Sequence, residues 1–287
     1  IEKASKVMMP LLFILLLIIV VASCLLPDAG KGVEFLLKPD FGKVDRNVFL
    51  NALGQSFYSM SIGMGCICTY ASYFSRQTNL FKSALQISVI DLMVAVLAGL
   101  MIFPAAFSVG ISPDSGPSLI FITLPNVFNK AFAALPVLGW IISLLFYVLL
   151  SVAALTSLMS LHEVNTSFFY EELKIDRKKG AWIVTISCAI IGTFCSFSLG
   201  ATDKLSWFGK TLFDWFDFIT GQIFLPMAGL LTCLFLGWYV PKKILKDEFT
   251  DWGTLKGRLF GIYFFLIKFV CPILILLVFL NQFGVLE

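Results

Sequence analysis

The sequence has little charge and a single histidine. Charged residues make up 14% of its 287 residues and apolar residues 59%, whereas soluble domains carry about 25% charged residues. A soluble globule of this length cannot bury so much apolar surface, and a disordered chain needs low hydrophobicity with high net charge. The net charge of +3 is too small and too scattered for a nucleic-acid partner. The composition therefore excludes these classes and indicates a chain that lies in a lipid bilayer.

The spacing that metal sites require is also lacking. The cysteines form no Cys-x-x-Cys pair, and no second histidine completes the zinc-protease motif that His162-Glu163 would begin. A zinc site built on two histidines is therefore excluded. We interpret the cysteines as buried, reduced thiols and His162-Glu163 as a polar contact in the inner half of a helix bundle.

Long apolar runs are what the sequence does have. A spanning helix needs about 20 apolar residues, and the continuous runs predict an all-α membrane protein with seven spans. The expected spans are residues 7–26, 49–74, 83–107, 138–169, 181–199, 212–240 and 259–280. The chain begins with Ile1 instead of methionine, so we expect a fragment or a processed product. The run from Val7 is too long for a signal peptide.

Lysine and arginine favour one side of the membrane. They concentrate in the segments 1–6, 76–82, 174–179 and 242–258, and cytoplasmic loops carry such an excess. We therefore expect a multi-pass protein of the plasma or inner membrane with a cytoplasmic N-terminus. Seven crossings then place the C-terminus outside.

One outer connection is long and partly apolar. Residues 108–136 mix Pro, Gly and Asp with the apolar stretch 119–122, which should bury itself away from water. We expect a re-entrant or capping hairpin over an outer vestibule. A plain surface loop is the alternative.

Few ionisable residues lie in the predicted spans, where charge is costly and marks functional sites: Asp91, His162, Glu163, Lys268, and Asp214 with Asp217 near the outer end of the sixth span. Asp91 lies in the middle of the third span. Its carboxylate would bind a cation or, alternatively, form a structural hydrogen bond to a neighbouring helix. Lys268 lies in the seventh span, and we expect it only to pack or to extend toward the membrane surface.

The second span contains glycine at mid-membrane. Gly63 and Gly65 weaken the helix there, and the hydroxyl groups of Ser59 and Ser61 flank them. A broken helix survives in lipid only where its free backbone groups line a cavity or meet partners. The pattern predicts such a break, while close helix packing is the alternative use of these glycines.

The fourth span presents small and hydroxylated residues on one face. Ala153, Thr156, Ser157 and Leu161 fall on that face by three- and four-residue spacing. Oxygen ligands of this kind suit a hard cation such as sodium. An ordinary helix interface is the alternative.

These stretches resemble one family. The segment Gln55–Tyr73 (QSFYSMSIGMGCICTYASY) is similar to the broken sixth helix of the neurotransmitter:sodium symporters, which include the bacterial leucine transporter. KASKVMMP resembles the entry to that family's fifth helix, PSLIFITLPNVF its outer capping loop, and AALTSL its eighth helix at a sodium site. The resemblance covers essentially the whole chain and is strongest to the bacterial, eleven-helix branch.

The resemblance implies the inverted-repeat sodium symporter fold, with ten core helices in two five-helix repeats. Residues 1–287 would be the C-terminal part of one transporter domain, from the fifth helix through the eleventh. The first four helices of the transporter are then absent from this sequence and are its expected partner. The implied activity is sodium-coupled symport of an amino acid or a related amine.

The resemblance also assigns site residues. One sodium site would use Ser59 and Asp91, and the second the Ala153 carbonyl, Thr156 and Ser157. The substrate pocket would contain Tyr58, Ser59, Ser61, Met64, Ser157 and Leu161. Asp217 would belong to the outer gate, and Glu171 to the inner gate near Ser72 and Tyr73.

Three of these positions refine the expected chemistry. Tyr58 stands where an aromatic lid closes over the substrate, and Met64 adapts to varied shapes, so we expect a hydrophobic or aromatic amino acid. Some members bind chloride beside the first sodium site. Gln55 and Ser59 match that chloride site, but Ala95 stands where its serine would be. The fixed carboxylate of Asp91, one turn away, would replace the anion, so we expect no chloride requirement.

Two other function classes fit the sequence less well than a symporter does. An integral membrane enzyme would need a nucleophile or a metal constellation, which His162 and dispersed cysteines support poorly. A non-transporting receptor or accessory subunit would be expected to lose the cation face, yet Asp91, Thr156 and Ser157 are present. The sequence therefore favours a transporter that is not an enzyme.

Overall fold

The computed structural model describes residues 2–74, 78–110, 124–131, 133, 136–200, 210–250 and 257–283, and they are almost entirely helical. The helices are α1 Glu2–Cys24, α2 Ala29–Leu37, α3 Arg46–Ser59, α4 Cys66–Ser72, α5 Leu80–Ser108, α6 Leu124–Ala131, α7 Pro136–Glu171, α8 Arg177–Gly200, α9 Leu212–Asp217, α10 Leu225–Leu234, α11 Lys242–Phe249, α12 Phe260–Phe265 and α13 Cys271–Gln282. Short 3-10 turns lie at Phe41–Lys43 and Gly257–Leu259.

Most of the predicted spans are long, apolar helices. Within the described ranges, six helical segments are long and apolar enough to cross a membrane: Ser5–Cys24, Leu80–Ser108, Pro136–Glu171, Arg177–Ser198, Leu212–Tyr239 and Phe260–Gln282. The remaining predicted span, 49–74, is divided into α3 and α4, and residues 60–65 between them are not helical. The prediction of an all-α membrane protein with one broken crossing is confirmed.

Three wider helical turns interrupt the last two spans, and the sequence did not predict them. These π-helical segments are π1 Phe218–Phe224, π2 Phe235–Tyr239 and π3 Leu266–Val270. Segments of this kind re-aim side chains and are frequent at functional sites.

One compact unit contains residues 1–43 and 89–159. Its core is an aliphatic and aromatic cluster in which Ile19, Val127 and Phe128 are fully buried. Helix α2 lies directly on α5, because a Cβ atom at Gly32 would come within 2.5 Å of the Phe103 carbonyl carbon.

The other compact unit contains residues 44–88 and 160–287. Helix α10 packs against α13 and α3 in this unit. Gly229 of α10 brings its backbone against the Phe57 ring of α3, since a Cβ atom there would lie 3.4 Å from Phe57 Cε1. This packing holds α3, the first half of the broken span, against α10 and α13.

The predicted outer capping loop, 108–136, lies largely outside the described residues. Its described portion includes α6, whose residues Leu124, Val127 and Phe128 are buried in the first unit. The end of α5 at Ser108 and the start of α7 at Pro136 bound the segment.

Candidate functional site

The junction between α3 and α4 is built from left-handed backbone. Ser61, Gly63 and Gly65 have φ angles of 53°, 86° and 81°. Glycine adopts such positive φ angles without strain, whereas other residues are strained there. The amide of Ile62 donates to the Phe57 carbonyl at 3.0 Å, a wider step than an α-helix makes. The helical ladder therefore stops at Ser59 and restarts at Cys66.

Close packing holds this junction in place. A Cβ atom at Gly63 would lie 2.5 Å from the Leu225 carbonyl oxygen of α10, and one at Gly65 would lie 3.2 Å from Val164 Cγ1 of α7. The two uses that the sequence allowed for these glycines, a break and a close approach, are thus both present. At Gly63 either one alone would constrain the position to glycine.

Four of the five predicted pocket residues of the second unit lie at this junction or end the helix before it, and the fifth lies on α7. Tyr58 and Ser59 end α3 and are exposed, Ser61 and Met64 lie half-buried in the non-helical segment, and Leu161 is exposed on α7. The sulfur atom of the neighbouring Met60 accepts a long hydrogen bond, of 3.9 Å, from the Ser88 hydroxyl. Apolar side chains, hydroxyl groups and backbone groups are therefore all present at the break.

An open cavity of about 460 Å³ lies at the α3 end of the broken span. Tyr58, the predicted lid, and Asp217, the predicted outer-gate residue, both line it. Both were assigned from separate stretches of sequence, and the structure brings them to one cavity.

The amides of this cavity were missed by sequence reasoning. Gln222, Asn281 and Gln282 join Asn51 and Gln55 in its lining. The Oε1 atom of Gln282 is buried and accepts no hydrogen bond from the described residues. Uncharged amides at membrane depth are the signal in the sequence that marks these positions.

The predicted residues of the first unit lie on two long helices. Asp91 is half-buried on α5, and Ala153, Thr156 and Ser157 lie on the part of α7 that belongs to this unit. The Thr156 hydroxyl donates to the Ala153 carbonyl at 2.8 Å. Two of the oxygen atoms assigned to one sodium site are therefore neighbours.

The α4 end of the broken span is fastened to α7. The Tyr70 hydroxyl donates to Ser160 Oγ at 2.7 Å, and the Tyr73 hydroxyl donates to Glu163 Oε1 at 2.8 Å. Ser72, the residue before Tyr73, turns its hydroxyl back to the Thr69 carbonyl at 2.7 Å. This half of the span is thus held to α7 by side-chain hydrogen bonds.

Glu163 is the centre of that fastening. It is only 6% exposed, and Arg177 at the start of α8 forms an ion pair with it. The Ser167 hydroxyl also lies 3.4 Å from its carboxylate. A buried carboxylate needs such partners, because an isolated buried charge is strongly unfavourable.

His162 is a polar contact, as the sequence indicated. Its Nε2 atom lies 3.0 Å from Thr185 Oγ1 and 3.2 Å from the Ala181 carbonyl oxygen, both on α8. His162 and its neighbour Glu163 therefore tie α7 to different partners.

Glu171, the predicted inner-gate residue, is the exposed last residue of α7. The described contacts of the Tyr73 hydroxyl go instead to Glu163 and Ser167. The assignment of Glu171 to the gate stays a prediction. The ion pair of Glu163 with Arg177, 14 residues further along, was not foreseen, because it depends on the turn that folds α8 back along α7.

Among the described residues, no cluster of three or more His, Cys, Asp or Glu side chains could hold a metal ion. The oxygen atoms at the predicted sodium positions are instead hydroxyls, one carbonyl and one carboxylate. Such a mixed set suits a weakly held hard cation better than a transition metal.

Comparisons with known proteins agree on one family. The model of the sodium:neurotransmitter symporter family matches residues 1–286. An uncharacterized sodium-dependent transporter of Bacillus subtilis, YhdH, is 37% identical over 288 residues, which cover 100% of this chain and 62% of that protein. A sodium-dependent transporter of Haemophilus influenzae, also uncharacterized, is 35% identical over 98% of this chain and 60% of its own length.

A solved structure is similar as well. The crystal structure of MhsT in complex with L-phenylalanine superposes with a TM-score of 0.83 at 36% identity, over 96% of this chain and 62% of that one. The chain thus spans about three fifths of the length of the relatives it matches. With its broken span and its matched residues, the chain has the inverted-repeat sodium symporter fold and belongs to the sodium:neurotransmitter symporter family.

Proposed function

We propose that the transporter to which this chain belongs couples the movement of sodium to the uptake of a small hydrophobic or aromatic amino acid. The observation that carries the proposal is the broken span α3–α4, with an open cavity at one end and a fastened network at the other. A transporter needs such a pair of ends around one site, because each must open in turn. The proposed cycle makes and breaks no covalent bond.

Sodium binding is proposed at two sites. Ser59 and Asp91 would serve the first, and Ala153, Thr156 and Ser157 the second. The adjacent oxygen atoms of Thr156 and Ala153 support the second site, and the names of the relatives as sodium-dependent transporters support both. The first four helices of the family fold would complete each site.

Chloride is not needed in this proposal. Asp91 places a carboxylate in the first site, where its charge would balance the cation. Ala95 offers no hydroxyl group to a chloride ion one turn further along α5. A fixed carboxylate beside sodium therefore takes the place that a mobile anion occupies in other members.

The substrate pocket is proposed to contain Tyr58, Ser59, Ser61, Met64, Ser157 and Leu161. Tyr58 would close over the amino acid from the side of the cavity, and Met64 would adapt to its side chain. The solved relative MhsT was crystallised with L-phenylalanine, which supports an apolar or aromatic substrate class.

The proposed cycle is a shift between two populations. Sodium favours the state that is open to the cavity, and bound substrate permits Tyr58 and Asp217 to close it. Opening at the other end then requires rearrangement around Tyr73 and Ser72, with Glu171 as the acidic gate residue. The excess of basic residues at that end supports a cytoplasmic location for it, with the N-terminus of this chain on the same side and the C-terminus outside.

The test is uptake of radiolabelled amino acids by the complete transporter in proteoliposomes. We expect uptake that requires an inward sodium gradient and is competed best by hydrophobic or aromatic amino acids. Best competition by acidic or basic amino acids would contradict the substrate class. Sodium-dependent binding without uptake would instead indicate a receptor of the same fold.

A further inference from the structure

Lys268 lies in an otherwise apolar helix and has an aromatic environment. Its Nζ atom lies 4.5 Å from the ring centre of Trp238, 5.6 Å from that of Phe264 and 5.7 Å from that of Phe269. Aromatic faces attract an ammonium group at these distances. Within the described ranges, the ion pairs do not involve Lys268, so its charge has aromatic partners and no carboxylate.

Lys268 lies beside the end of the neighbouring span, at π2. The Cα atom of Lys268 lies about 12 Å along the helix from Phe260, at 1.5 Å per residue. Its Cα atom lies beside Gly237 and its ammonium group beside Trp238, the residue before the last of π2. Lysine side chains near helix ends place their charge at the membrane surface in this way, and tryptophan is enriched at the same level.

A second cation lies against the same ring. Lys242, the first residue of α11, has its Nζ atom 5.0 Å from the ring centre of Phe264. The described ion pairs do not involve Lys242 either. Two like charges at one ring repel each other, and an anion bound between them converts that repulsion into attraction.

Close helix packing fixes this arrangement. A Cβ atom at Gly237 of π2 would lie 2.9 Å from the Cα atom of Lys268 in π3, so the two segments touch there. Trp238 and Tyr239, next to this contact, are 63% and 79% exposed. The two lysines are therefore held beside an aromatic rim that faces away from the unit.

We infer that Lys242 and Lys268 bind the headgroup of one anionic phospholipid, whose acyl chains lie against the exposed rings of Trp238 and Phe269. Three features of this place fit such a lipid: paired cations without described carboxylate partners, their level near the end of two spans, and apolar aromatic surface directly beside them. Anionic lipids are attracted to basic groups at the cytoplasmic surface, and the basic segment 242–258 supports that side. A soluble anion would pair with the two lysines but would make no apolar contact with the aromatic rings.

Native mass spectrometry of the complete transporter tests the inference. The protein is titrated with phosphatidylglycerol or with phosphatidylcholine of the same acyl chains, and inorganic phosphate is added as a competitor. We expect one retained phosphatidylglycerol, preferred over phosphatidylcholine by roughly tenfold or more. The double variant K242Q/K268Q should lose the preference, and K242R/K268R should keep it.

The matched control is K243Q/K246Q, which removes two exposed lysines from the same helix without touching Phe264. It should keep most of the preference. Equal loss in both double variants would overturn the inference in favour of a general charge effect. Displacement of the lipid by inorganic phosphate, or equal retention of phosphatidylcholine, would overturn it as well.

A second measurement needs no lysine variant and does not depend on transport. Phosphatidylglycerol with brominated acyl chains should quench tryptophan fluorescence more than brominated phosphatidylcholine does. That difference should disappear in W238F. If the difference persists in W238F, or is absent from the unmodified protein, no anionic lipid lies at this position and the inference fails.

Discussion

The two halves of the broken span differ in how they are held. The first half, α3, ends in Tyr58 and Ser59 beside an open cavity that Asp217 also lines. The second half, α4, is fastened to α7 through Tyr70 and Tyr73. One crossing of the membrane therefore has an open end and a tied end.

The difference shows what an interruption of the helix makes possible. A continuous helix would couple both halves through its hydrogen-bond ladder, and a change at one end would reach the other. The junction at residues 60–65 replaces that ladder with left-handed backbone held against α10. Each half can then keep its own partners, which is a requirement for gates that open in turn.

The junction itself should be the most sensitive position. Gly63→Ala would force a Cβ atom to within 2.5 Å of the Leu225 carbonyl oxygen at a φ angle of 86°. Left-handed strain and overlap together should cost about 3 kcal/mol or more. Thermal unfolding of the purified transporter and sodium-driven uptake would both report the loss.

Gly192→Ala is the matched control for that variant. Gly192 lies within α8, and a Cβ atom there meets nothing within 4 Å. Alanine in an open helical position should leave stability unchanged or raise it by up to about 1 kcal/mol. Equal damage from both substitutions would show that the junction does not need glycine.

The tied end should be the next most sensitive. Arg177→Ala would leave the carboxylate of Glu163 buried without its cation, although the Arg177 side chain is 54% exposed. Because that exposure screens the pair, we expect a loss of about 1–3 kcal/mol in unfolding free energy. Thermal unfolding measures it.

Neutralising the carboxylate of Glu163 distinguishes the cost of its unpaired charge from the loss of the contacts that Arg177 makes. Glu163→Gln in the Arg177→Ala background should recover part of the lost stability, since no buried charge remains. Lys179→Ala removes a nearby exposed cation and should have little effect. If Lys179→Ala lowers stability as much as Arg177→Ala does, the ion pair does not fasten this end.

The first proposed sodium site gives a smaller and more specific effect. Asp91→Asn keeps the size of the side chain but removes a unit charge, which should weaken sodium binding roughly tenfold. The sodium dependence of substrate binding to the complete transporter measures the change. Asp28→Asn, at an exposed position paired with Lys31, should not shift it, and an equal shift would remove Asp91 from the site.

Replacement of chloride should have the smallest effect. If the carboxylate of Asp91 balances the sodium charge, uptake in gluconate medium should equal uptake in chloride medium. The comparison is made at constant sodium concentration in proteoliposomes. A large loss of uptake would contradict the proposed replacement of the anion.

The fold and the position of the break could be predicted from particular residues. Apolar runs of membrane length require helices, because lipid leaves backbone groups no other partners. Gly63 and Gly65 marked the break, and spacing on α7 placed Ala153 beside Thr156. The pairing of Glu163 with Arg177 and the amides around Asp217 were not foreseen, since both depend on which helices become neighbours.

The sequence by itself determined that the chain lies in a membrane, that it forms helices and where the second span breaks. These features depend on the hydropathy of each segment and on the local backbone freedom of glycine. Only the tertiary structure decided what each end of the break meets. Tyr73 contacts Glu163, and Lys268 contacts the ring of Trp238. These partners lie far apart in sequence, so only the packing of the helices brings them together. Close contacts such as that of Gly237 with Lys268 set this packing.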